Sequence, residues 1–564
     1  MKANQIRIIL LVALALVFVM LYGKWNVMFH VSEPATPVTQ NQTVTNDSAS
    51  SSVPTINVDH IKSPTKISKT QEILPSKTES NPITVLTDVY KLEISPINGT
   101  ITKVALLKYN KTLNDKTPLV LLNDNPNSLY LAQSGIINAN LNKNDITFTS
   151  AKTHYNLGDK NTLEVVLMAK VDGIDLTKTF TFTKGSYDIK LSQALQNNSG
   201  ESFTGKFYGQ ILRKDDTTST SLLDVHSYAT FTGVTLSSTQ DKYQKESYKD
   251  IASNAQNIRT TQGWAAMVQH YFLSAWVPEN ATVGIGNENT IFTRSLGDGT
   301  YTTGVAMPTF TLASGESATD NSQLYIGPTI KTNLDTVAPN LALTVDYGWL
   351  WFISDLIFWA MTLIYSVVGN WGVAIILVTF LIKLIFYPLS AKSYRSMAKM
   401  RLLQPKIKQL KERYGDDKQK MTQQMMQMYK REKVNPVGGC LPMVVQIPVF
   451  IALYWVLLES VQLRQAPFIF WIHDLSVKDP FYVLPVLMGI SMFVQQRLNP
   501  APPDPMQAKI MMFMPIIFTV MFLNFPAGLV LYWLTNNVLG VLQQWWVMKQ
   551  VSAEQPSQRA AANK

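Results

Sequence analysis

The sequence predicts a multi-domain membrane protein, in which a soluble antiparallel β-sandwich domain precedes a polytopic α-helical membrane bundle. Up to about Asp346 the 564-residue chain is rich in Ser, Thr, Asn and Lys, whereas from Tyr347 onward it contains long apolar runs. Short alternating segments with turn signals fill the first part. The basic excess belongs to the second part, because residues 349–564 carry a net charge of +11 and residues 24–348 carry −3.

The N-terminal residues 1–23 are predicted to form a signal-anchor transmembrane helix. The apolar run Ile8–Tyr22 follows a short basic segment, and the next residues offer no small-residue cleavage site. This pattern favours a retained anchor over a cleavable signal peptide. Residues 24–82 are rich in Ser, Thr, Pro and Asn and contain too few apolar side chains to offset the entropy of ordering, so they are predicted to be a flexible tether.

Residues 83–346 are predicted to form the β-sandwich. Leu163–Val171 and Thr177–Thr183, for example, are strand-like segments on either side of Asp172-Gly173, a dipeptide typical of tight hairpin turns. Many short strands at this spacing, with no long helical period before about residue 250, are typical of an antiparallel sandwich.

The sequence offers little enzymatic chemistry. His226 and His270 are isolated, and each is expected to be a surface or hydrogen-bonded core histidine. The single cysteine, Cys440, excludes an internal disulfide. There is neither a phosphate-binding G-x-x-x-x-G-K-[ST] loop nor a clustered acidic metal site, so no cofactor is expected. An enzyme acting at the outer face would require a catalytic constellation that the sandwich segment lacks.

Five apolar runs in the second part are predicted to cross the membrane. Two of them are short, because a sixteen-residue helix rises only about 24 Å against a hydrocarbon core of about 30 Å, and we interpret this as local thinning of the bilayer. The Trp-rich segment Trp349–Ser366 is predicted to lie in the outer interface as an amphipathic helix. The predicted spans are Gly372–Leu389, Leu441–Leu458, Phe481–Gln495, Ile510–Leu523 and Ala527–Trp546.

Charge predicts the orientation of these spans, which together occupy a core of residues 347–548. Ser390–Pro436 carries 13 Lys and Arg against four acidic residues, which is typical of a cytoplasmic loop. With the N-terminus inside, counting spans places the sandwich outside, and Ser390–Pro436 and the tail, residues 549–564, inside. The count and the positive-inside rule therefore agree.

Lys383 is the charged residue within the first predicted span. A charge inside the membrane costs several kcal/mol unless it faces water or a partner, which favours a functional site. The alternative is a lysine that snorkels to the inner headgroups, since the predicted inner boundary is only about six residues away.

Several uncharged polar residues also interrupt the spans. One such residue is usually an interhelical hydrogen-bonding contact, but this number together with Lys383 favours the lining of a hydrated cavity. Glu459, at the outer end of a span, is expected to reach interfacial water. The polar residues are Thr379, Gln446, Asn524, Thr535, Asn536, Asn537, Gln543 and Gln544.

Ser390–Pro436 is predicted to form a helical hairpin, because methionines and other apolar residues recur at three- and four-residue steps on either side of Gly415-Asp416-Asp417. Pro405 is expected to disturb the first arm. The methionine stripe either docks an apolar segment or closes the hairpin on itself. The basic residues either contact RNA or bind anionic lipid headgroups.

Residues from about 347 to 548 resemble the YidC-type membrane protein insertase family, specifically its Gram-negative branch with a large periplasmic domain. The resemblance is dense and specific in this tract and looser upstream. The motifs that carry it are Tyr387-Pro388-Leu389, Ser396-Met397-Ala398-Lys399-Met400, Leu403-Gln404-Pro405-Lys406-Ile407, Glu432-Lys433-Val434-Asn435-Pro436, Leu463-Arg464-Gln465-Ala466-Pro467-Phe468, Trp471-Ile472-His473-Asp474-Leu475 and Phe525-Pro526-Ala527-Gly528-Leu529-Val530-Leu531-Tyr532-Trp533.

The resemblance implies an insertase and chaperone, not an enzyme, which receives nascent membrane proteins from the ribosome or the Sec translocon and moves them into the inner membrane without ATP. A targeting-factor receptor and inner-membrane lipids are further expected partners. The expected substrate groove comprises Lys383, Thr379, Gln446, Asn524, Trp533, Thr535 and Asn536. The expected docking residues for the ribosome or a targeting factor are Lys399, Arg401, Lys406, Lys408 and Lys411.

The sequence departs from the family pattern at two groove positions. Lys383 stands where arginine is usual, which keeps the charge but loses bidentate pairing with a carboxylate. Trp533 stands where tyrosine is common. A transporter with Lys383 as its ion or substrate site is the rival interpretation, and it would predict inverted repeats, which the sequence does not show.

Overall fold

The computed structural model describes residues 81–138, 141, 145–215, 230–279, 288–414, 417–432, 434, 441–499 and 505–562. The predicted anchor, residues 1–23, and almost all of the predicted tether, residues 24–82, lie outside these residues, as do His226 and Cys440. Within the described part, strands occupy the first half of the chain and helices the second.

Two large sheets form a sandwich, which we call the sheet domain. One sheet has the order β14-β17-β18-β11-β5-β3-β2-β1-β7, with β19 beside β11 and β4 beside β3, and the other has the order β13-β12-β15-β16-β20-β10-β9-β8-β6. The described strands are β1 Ile83–Leu86, β2 Tyr90–Ile94, β3 Ile101–Thr112, β4 Asp115–Leu122, β5 Tyr130–Ile137, β6 Thr149–Ser150, β7 His154–Asn156, β8 Thr162–Val171, β9 Ile174–Thr183, β10 Asp188–Asn197, β11 Phe203–Lys214, β12 Thr232–Ser237, β13 Gln244–Glu246, β14 Asn257–Thr260, β15 Trp264–Gln269, β16 Phe272–Pro278, β17 Asn289–Gly297, β18 Thr300–Ala306, β19 Phe310–Leu312 and β20 Ser317–Pro328.

The predicted antiparallel sandwich is confirmed, with one exception in strand direction. The hairpin of β8 and β9 turns at Asp172 and Gly173, both with positive φ (48° and 77°), which suits a two-residue turn. Side chains of β9 alternate between buried and half-buried, so one face packs into the core. The exception is β1, which pairs with β7 in parallel.

Lys178 joins the two sheets through the interior. It occupies an inward position of β9 and is only 4% exposed. Its Nζ donates to the carbonyl oxygens of Asn98 and Ser134, each at 2.7 Å, and to the Ser134 hydroxyl at 3.1 Å. The hydrogen bonds account for all three ammonium donors, which offsets part of the cost of burying a charge.

The second half of the chain is a helical bundle, preceded by two short helices of the sheet domain. Short 3₁₀ turns occur at Leu341–Thr344, Gly348–Leu350 and Val461–Leu463. The helices are α1 Tyr248–Ser253, α2 Lys331–Val337, α3 Trp351–Val368, α4 Trp371–Ile385, α5 Tyr387–Leu402, α6 Gln404–Tyr414, α7 Lys418–Arg431, α8 Leu441–Glu459, α9 Val483–Leu498, α10 Pro505–Phe522 and α11 Ala527–Ala562.

Helix α3 crosses α4 at one end of the bundle. The rings of Phe358 and Tyr365, two turns apart on α3, both stack on Trp371, the first residue of α4, with centroids 6.4 and 4.2 Å away. Helices running side by side would instead bring Phe358 opposite the far end of α4. The α3 segment, Gly348–Val368, is the one described helix whose length and composition would by themselves suffice to cross a membrane.

The exposed side of α3 is apolar, whereas an amphipathic helix with a polar face was predicted. Ser354, Ile357 and Met361 face the bundle, and the Ser354 hydroxyl donates to the Ala452 carbonyl of α8 at 3.1 Å. The opposite side exposes large apolar residues, which fits contact with lipid better than contact with water. These residues are Trp351, Phe352, Leu356, Trp359, Leu363 and Val367.

The first predicted span, Gly372–Leu389, is not one straight helix. Helix α4 ends at Ile385, and α5 begins two residues later after a bend of 70°. Pro388 lies in the first turn of α5, where its missing N–H leaves no hydrogen bond unmade. The fifteen residues of α4 rise only about 22 Å, so α4 is shorter than the hydrocarbon core of a typical bilayer.

The predicted hairpin forms from α6 and α7. The first arm is divided at Leu403, between α5 and α6, with Pro405 in the first turn of α6. Met425 and Met428 pack with Leu403 and other apolar residues of this hairpin in one small cluster. These two methionines therefore close the hairpin on itself, as one of the two interpretations of the methionine stripe proposed.

The last helix extends beyond its predicted span. Helix α11 continues beyond Trp546 to Ala562, so the predicted boundary between core and tail at residue 548 lies inside a helix. Val547 and Val551 pack against Tyr394 and Ala398 of α5. These contacts explain why the helix continues, because they bury the apolar side of its C-terminal part against α5.

The sheet domain packs directly on the bundle, and one hydrophobic core contains residues of both. Arg464 donates to the carbonyl oxygen of Asn110 at 2.8 Å, and Lys331 of α2 pairs with Asp355 of α3 at 2.6 Å. Within the sheet domain, Trp264 donates its indole N–H to the Pro339 carbonyl at 3.0 Å, which holds the segment that leads to the bundle against β15. These contacts fix the sheet domain over one end of the helices.

Candidate functional site

The candidate site begins with Lys383, which lies in the last turn of α4. A cation there interacts favourably with the partial negative charge of the helix C-terminus. Lys383 is half-buried, and no carboxylate of the described residues lies within salt-bridge distance of it. The helix terminus therefore supplies part of the stabilisation that an acidic partner would otherwise provide.

The Lys383 side chain points into the bundle toward Gly540 of α11. A β-carbon built on Gly540 would lie 3.6 Å from Lys383 Nζ, 3.6 Å from the hydroxyl oxygen of Tyr394 and 3.4 Å from Nε2 of Gln495. Polar groups of α4, α5 and α9 thus converge on one glycine of α11. The Lys383 side chain is therefore packed among other helices, whereas a lysine that snorkels to the inner headgroups would extend along its own helix.

Lys383 also lines a cavity of about 280 Å³, part of it open to the outside, which we call the Lys383 cavity. Gln446 of α8 lies on its wall and donates a hydrogen bond to Asn536 of α11. Two polar residues of the predicted groove, Gln446 and Asn536, are thereby in contact, and Gln446 is the one that lines the cavity. The lining residues are Ile382, Lys383, Phe386, Leu389, Ser390 and Gln446.

Other amides on α11 connect helices. Asn537 donates to the Ser491 hydroxyl of α9 at 3.2 Å, and Gln544 donates to Asn499 at 2.9 Å. Both amides are buried, so they serve as interhelical hydrogen-bonding contacts. Of the two interpretations of the polar residues, interhelical contact or cavity lining, the structure shows interhelical contact for Asn537 and Gln544.

Thr379 and Thr535 bond within their own helices. The Thr379 hydroxyl donates to the Ile375 carbonyl at 2.6 Å, and the Thr535 hydroxyl donates to the Leu531 carbonyl at 2.8 Å. Thr379 is only 1% exposed. Thr379 is therefore buried among the helices in this structure, and its place in the substrate groove stays a prediction.

Trp533 forms part of an aromatic cluster on α8, α10 and α11. Its ring lies 4.6 Å from that of Phe450, 5.1 Å from that of Phe522 and 6.2 Å from that of Phe518. Trp533 is half-buried. The exposed part of such an aromatic cluster can make apolar contacts with another hydrophobic helix.

Asn524 does not join the site. It is exposed in the turn between α10 and α11. The twelve helical residues from Gly528 to Gly540 rise about 18 Å, so Asn524 lies near the end of α11 that is remote from Lys383. The sequence grouped Asn524 with the polar residues of the spans because it lies between two apolar runs that are nearly continuous.

The five basic residues expected to dock a ribosome or targeting factor are all exposed on α5 and α6. Lys406 is paired with Glu432 at 2.7 Å, an exposed ion pair that contributes little to stability. The remaining four make no ion pair with a described residue. The five residues are Lys399, Arg401, Lys406, Lys408 and Lys411.

Sequence reasoning missed four groups around Lys383. Tyr394 and Ser390 belong to α5, which was assigned to the hairpin, and Gln495 was assigned to the end of a span. Gly540 carried the one usable signal, since a glycine inside a long helical pattern usually has a packing or functional reason.

Both parts of the chain are similar in sequence to known proteins. Residues 82–360 match the YidC periplasmic domain, and residues 363–554 match the family described as the 60Kd inner membrane protein. The membrane protein insertase YidC of Francisella philomiragia is 49% identical over 562 residues, covering 98% of this chain and 99% of that protein. That of Francisella tularensis is 48% identical over 563 residues, with the same coverage.

Among solved structures, the crystal structure of an active YidC insertase with its first transmembrane domain resolved covers 82% of this chain and 92% of that chain. Its sequence identity is 16% and its TM-score is 0.37. The sequence relatives define the class of protein as an inner-membrane insertase, which is not an enzyme. The chain belongs to the YidC family of membrane protein insertases.

Proposed function

We propose that the chain inserts hydrophobic segments of nascent membrane proteins into the inner membrane through a groove centred on Lys383. The observation that carries this proposal is the inward orientation of Lys383 beside Gly540, with Gln495 and Tyr394 close by. An intramembrane cation without an acidic partner among the described residues is available to a substrate.

The physical role of the groove is to lower the cost of moving polar segments into the membrane. Lys383 attracts an acidic flank of the substrate, and Gln446 and Asn536 offer hydrogen bonds that lipid cannot provide. The short helix α4 favours a locally thinner bilayer. Transfer of the apolar substrate helix into lipid then drives the reaction, so nucleotide hydrolysis is not needed.

The proposed topology keeps both termini and the hairpin in the cytoplasm and the sheet domain in the periplasm. The crossing of α3 over the first residue of α4 supports an α3 that lies at the outer surface rather than through the bilayer. In that arrangement α4 enters from outside, and the basic segment 390–436 follows it on the inside, as the positive-inside rule requires. The proposed domains are residues 1–23, 24–82, 83–346, 347–548 and 549–564.

The exposed basic side of α5 and α6 is proposed to receive the ribosome or a targeting-factor receptor. All five expected residues are exposed, and the hairpin segment carries a net charge of +9. Anionic lipid headgroups are the competing partner for the same charges. The Sec translocon is proposed to deliver a share of the substrates.

Photocrosslinking of a stalled nascent chain tests the groove. A photoreactive amino acid at Gln446 or Trp533 should crosslink to the substrate helix, because these half-buried side chains lie on the Lys383 cavity and on the aromatic cluster. Val367 of α3 is 83% exposed and belongs to neither the Lys383 cavity nor the aromatic cluster, so it is the control and should not crosslink to the substrate helix. Equal crosslinking at all three positions would contradict a defined groove.

A further inference from the structure

A second cavity lies where the sheet domain meets the outer end of α8, and we call it the junction cavity. It encloses about 380 Å³, part of it open to solvent. Charged, polar and aromatic residues from three parts of the chain form its wall. They include Phe231, Lys245, Thr344, Asp346, Trp455 and Glu459.

Glu459 is the unpartnered group of this cavity. It was expected to reach interfacial water, but the sheet domain covers it, and the residue is only 8% exposed. Among the described residues its carboxylate has no hydrogen-bond donor and no ion-pair partner, although it lines the cavity. A buried carboxylate in this condition costs several kcal/mol unless a cation or donor reaches it.

The neighbouring charged groups are already engaged. One oxygen of Asp346 accepts from the Gly348 N–H at 2.8 Å, and the other pairs with Lys245. The Lys245 Nζ also lies 4.9 Å from the ring centre of Phe231. Lys245 and Asp346 therefore balance each other, which leaves the buried carboxyl of Glu459 without an ionic partner among the described residues.

The chemistry of the wall favours an organic cation. The described residues contain no group of three or more His, Cys, Asp or Glu side chains placed to hold a metal ion. The Lys245 ammonium already lies over the ring of Phe231, whereas no cation of the described residues lies over the indole of Trp455, which lines the cavity. A carboxylate beside an indole is suited to an ammonium group.

The position of the cavity indicates where that ammonium comes from. Leu343 and Trp349, which flank the wall residues Thr344 and Asp346 in the chain, are 44% and 53% exposed. Trp351 continues this apolar surface onto α3 at 60% exposure. Exposed tryptophans beside a charged cavity are typical of the headgroup level of a membrane.

We propose that the junction cavity binds the primary ammonium group of a lipid headgroup, with Glu459 as its carboxylate partner and Trp455 as its aromatic wall. Three N–H donors of a primary ammonium satisfy Glu459 in a way that a fully methylated ammonium cannot. The bound lipid would join the sheet domain to α8 at the surface of the bilayer. This site is separate from the Lys383 cavity and does not depend on the proposed insertion mechanism.

Lipid retention by the purified full-length chain tests the proposal. The chain in detergent is offered equal amounts of lipids with ethanolamine, choline and glycerol headgroups on identical acyl chains, and bound lipid is measured by native mass spectrometry. We expect the ethanolamine lipid to be retained at least about tenfold more than the other two, equivalent to about 1.4 kcal/mol. Comparable retention of the three lipids would overturn the proposal without any variant being needed.

Two variants assign the binding to the cavity. Glu459→Gln keeps the shape but removes the charge, and should abolish the preference for ethanolamine, whereas Glu412→Gln on the exposed surface of α6 should leave it unchanged. A preference that survives in Glu459→Gln overturns the assignment. Free ethanolamine that competes with the lipid at millimolar concentration would identify the same ammonium site with a soluble amine as its occupant.

Discussion

Lys383 of α4 and Gly540 of α11 are adjacent inside the bundle, with the lysine Nζ 3.6 Å from the position that a β-carbon on the glycine would occupy. The absence of a side chain at Gly540 leaves room for the ammonium group. The pair links the helix that carries the charge to the helix that carries Trp533, Asn536 and Asn537, and it gives the candidate groove its centre.

Charge at this position should govern insertion. Lys383→Arg keeps the charge, and we expect it to insert a small substrate with an acidic outer segment at a nearly normal rate. Lys383→Glu adds a like charge in a low-dielectric site and should slow that insertion about tenfold or more, equivalent to at least about 1.4 kcal/mol. Insertion into proteoliposomes measures both. Normal rates for Lys383→Glu and Lys383→Ala would favour a snorkelling lysine instead.

The space beside Gly540 should matter independently of charge. A β-carbon there would make only ordinary contacts of 3.4 to 3.6 Å, so Gly540→Ala should fold and insert normally and gain up to about 1 kcal/mol of helix stability. Gly540→Leu would displace Lys383 and Gln495 and should reduce insertion at an unchanged amount of protein. The same insertion assay compares them, and equal activity of both variants would show that the space is not used.

If the ribosome binds the hairpin electrostatically, reversing the charge of the hairpin should lower its affinity for ribosomes. Changing Lys406, Lys408 and Lys411 to Glu should weaken ribosome binding in neutral-lipid nanodiscs, and added salt should weaken the unmutated complex similarly. Co-sedimentation with ribosomes measures the affinity.

The Lys406 pair provides the control for that measurement. Exchanging Lys406 and Glu432 reverses one ion pair and keeps the net charge, so ribosome binding should change little. Unchanged binding by the triple reversal would leave these lysines as determinants of topology alone.

Asp320 should make the sheet domain less stable as the pH rises. It is fully buried on β20, and burial raises the pKa of Asp320 to about 7. Below the unfolded pKa of about 3.8 both states are protonated and there is no penalty. Between about pH 4 and pH 7 the unfolded carboxyl ionises first, so stability falls across this window and the penalty is complete above it.

Asp320→Asn cannot ionise and should therefore become more stable than the unmutated chain as the pH rises from 5 to 8. Hydrogen exchange of the β10 and β20 amides in the full-length protein, corrected for the intrinsic rate at each pH, measures the difference. Asp159→Asn, at an exposed position, is the control. A difference that does not vary with pH would contradict the assignment to Asp320.

Local patterns in the sequence determined the architecture of this protein. The alternation in Leu163–Val171 predicted β8, which the structure places at Thr162–Val171, and the apolar run Leu441–Leu458 predicted α8 at Leu441–Glu459. Lys383 was also identifiable, because a charge among apolar neighbours is visible in the sequence. Such features depend on residues within a few positions of one another, which is why they can be derived from a single chain.

Only the tertiary structure decided which polar residues face each other. Thr379 is turned into the core, Asn524 is left in an exposed turn, and Glu459 is covered by the sheet domain. Gly540 lies beside Lys383 in the structure, although the two residues are more than 150 positions apart in the sequence. The burial of a side chain depends on the distant segments that pack against it, and periodicity specifies one face of a helix but not the neighbour that will cover it.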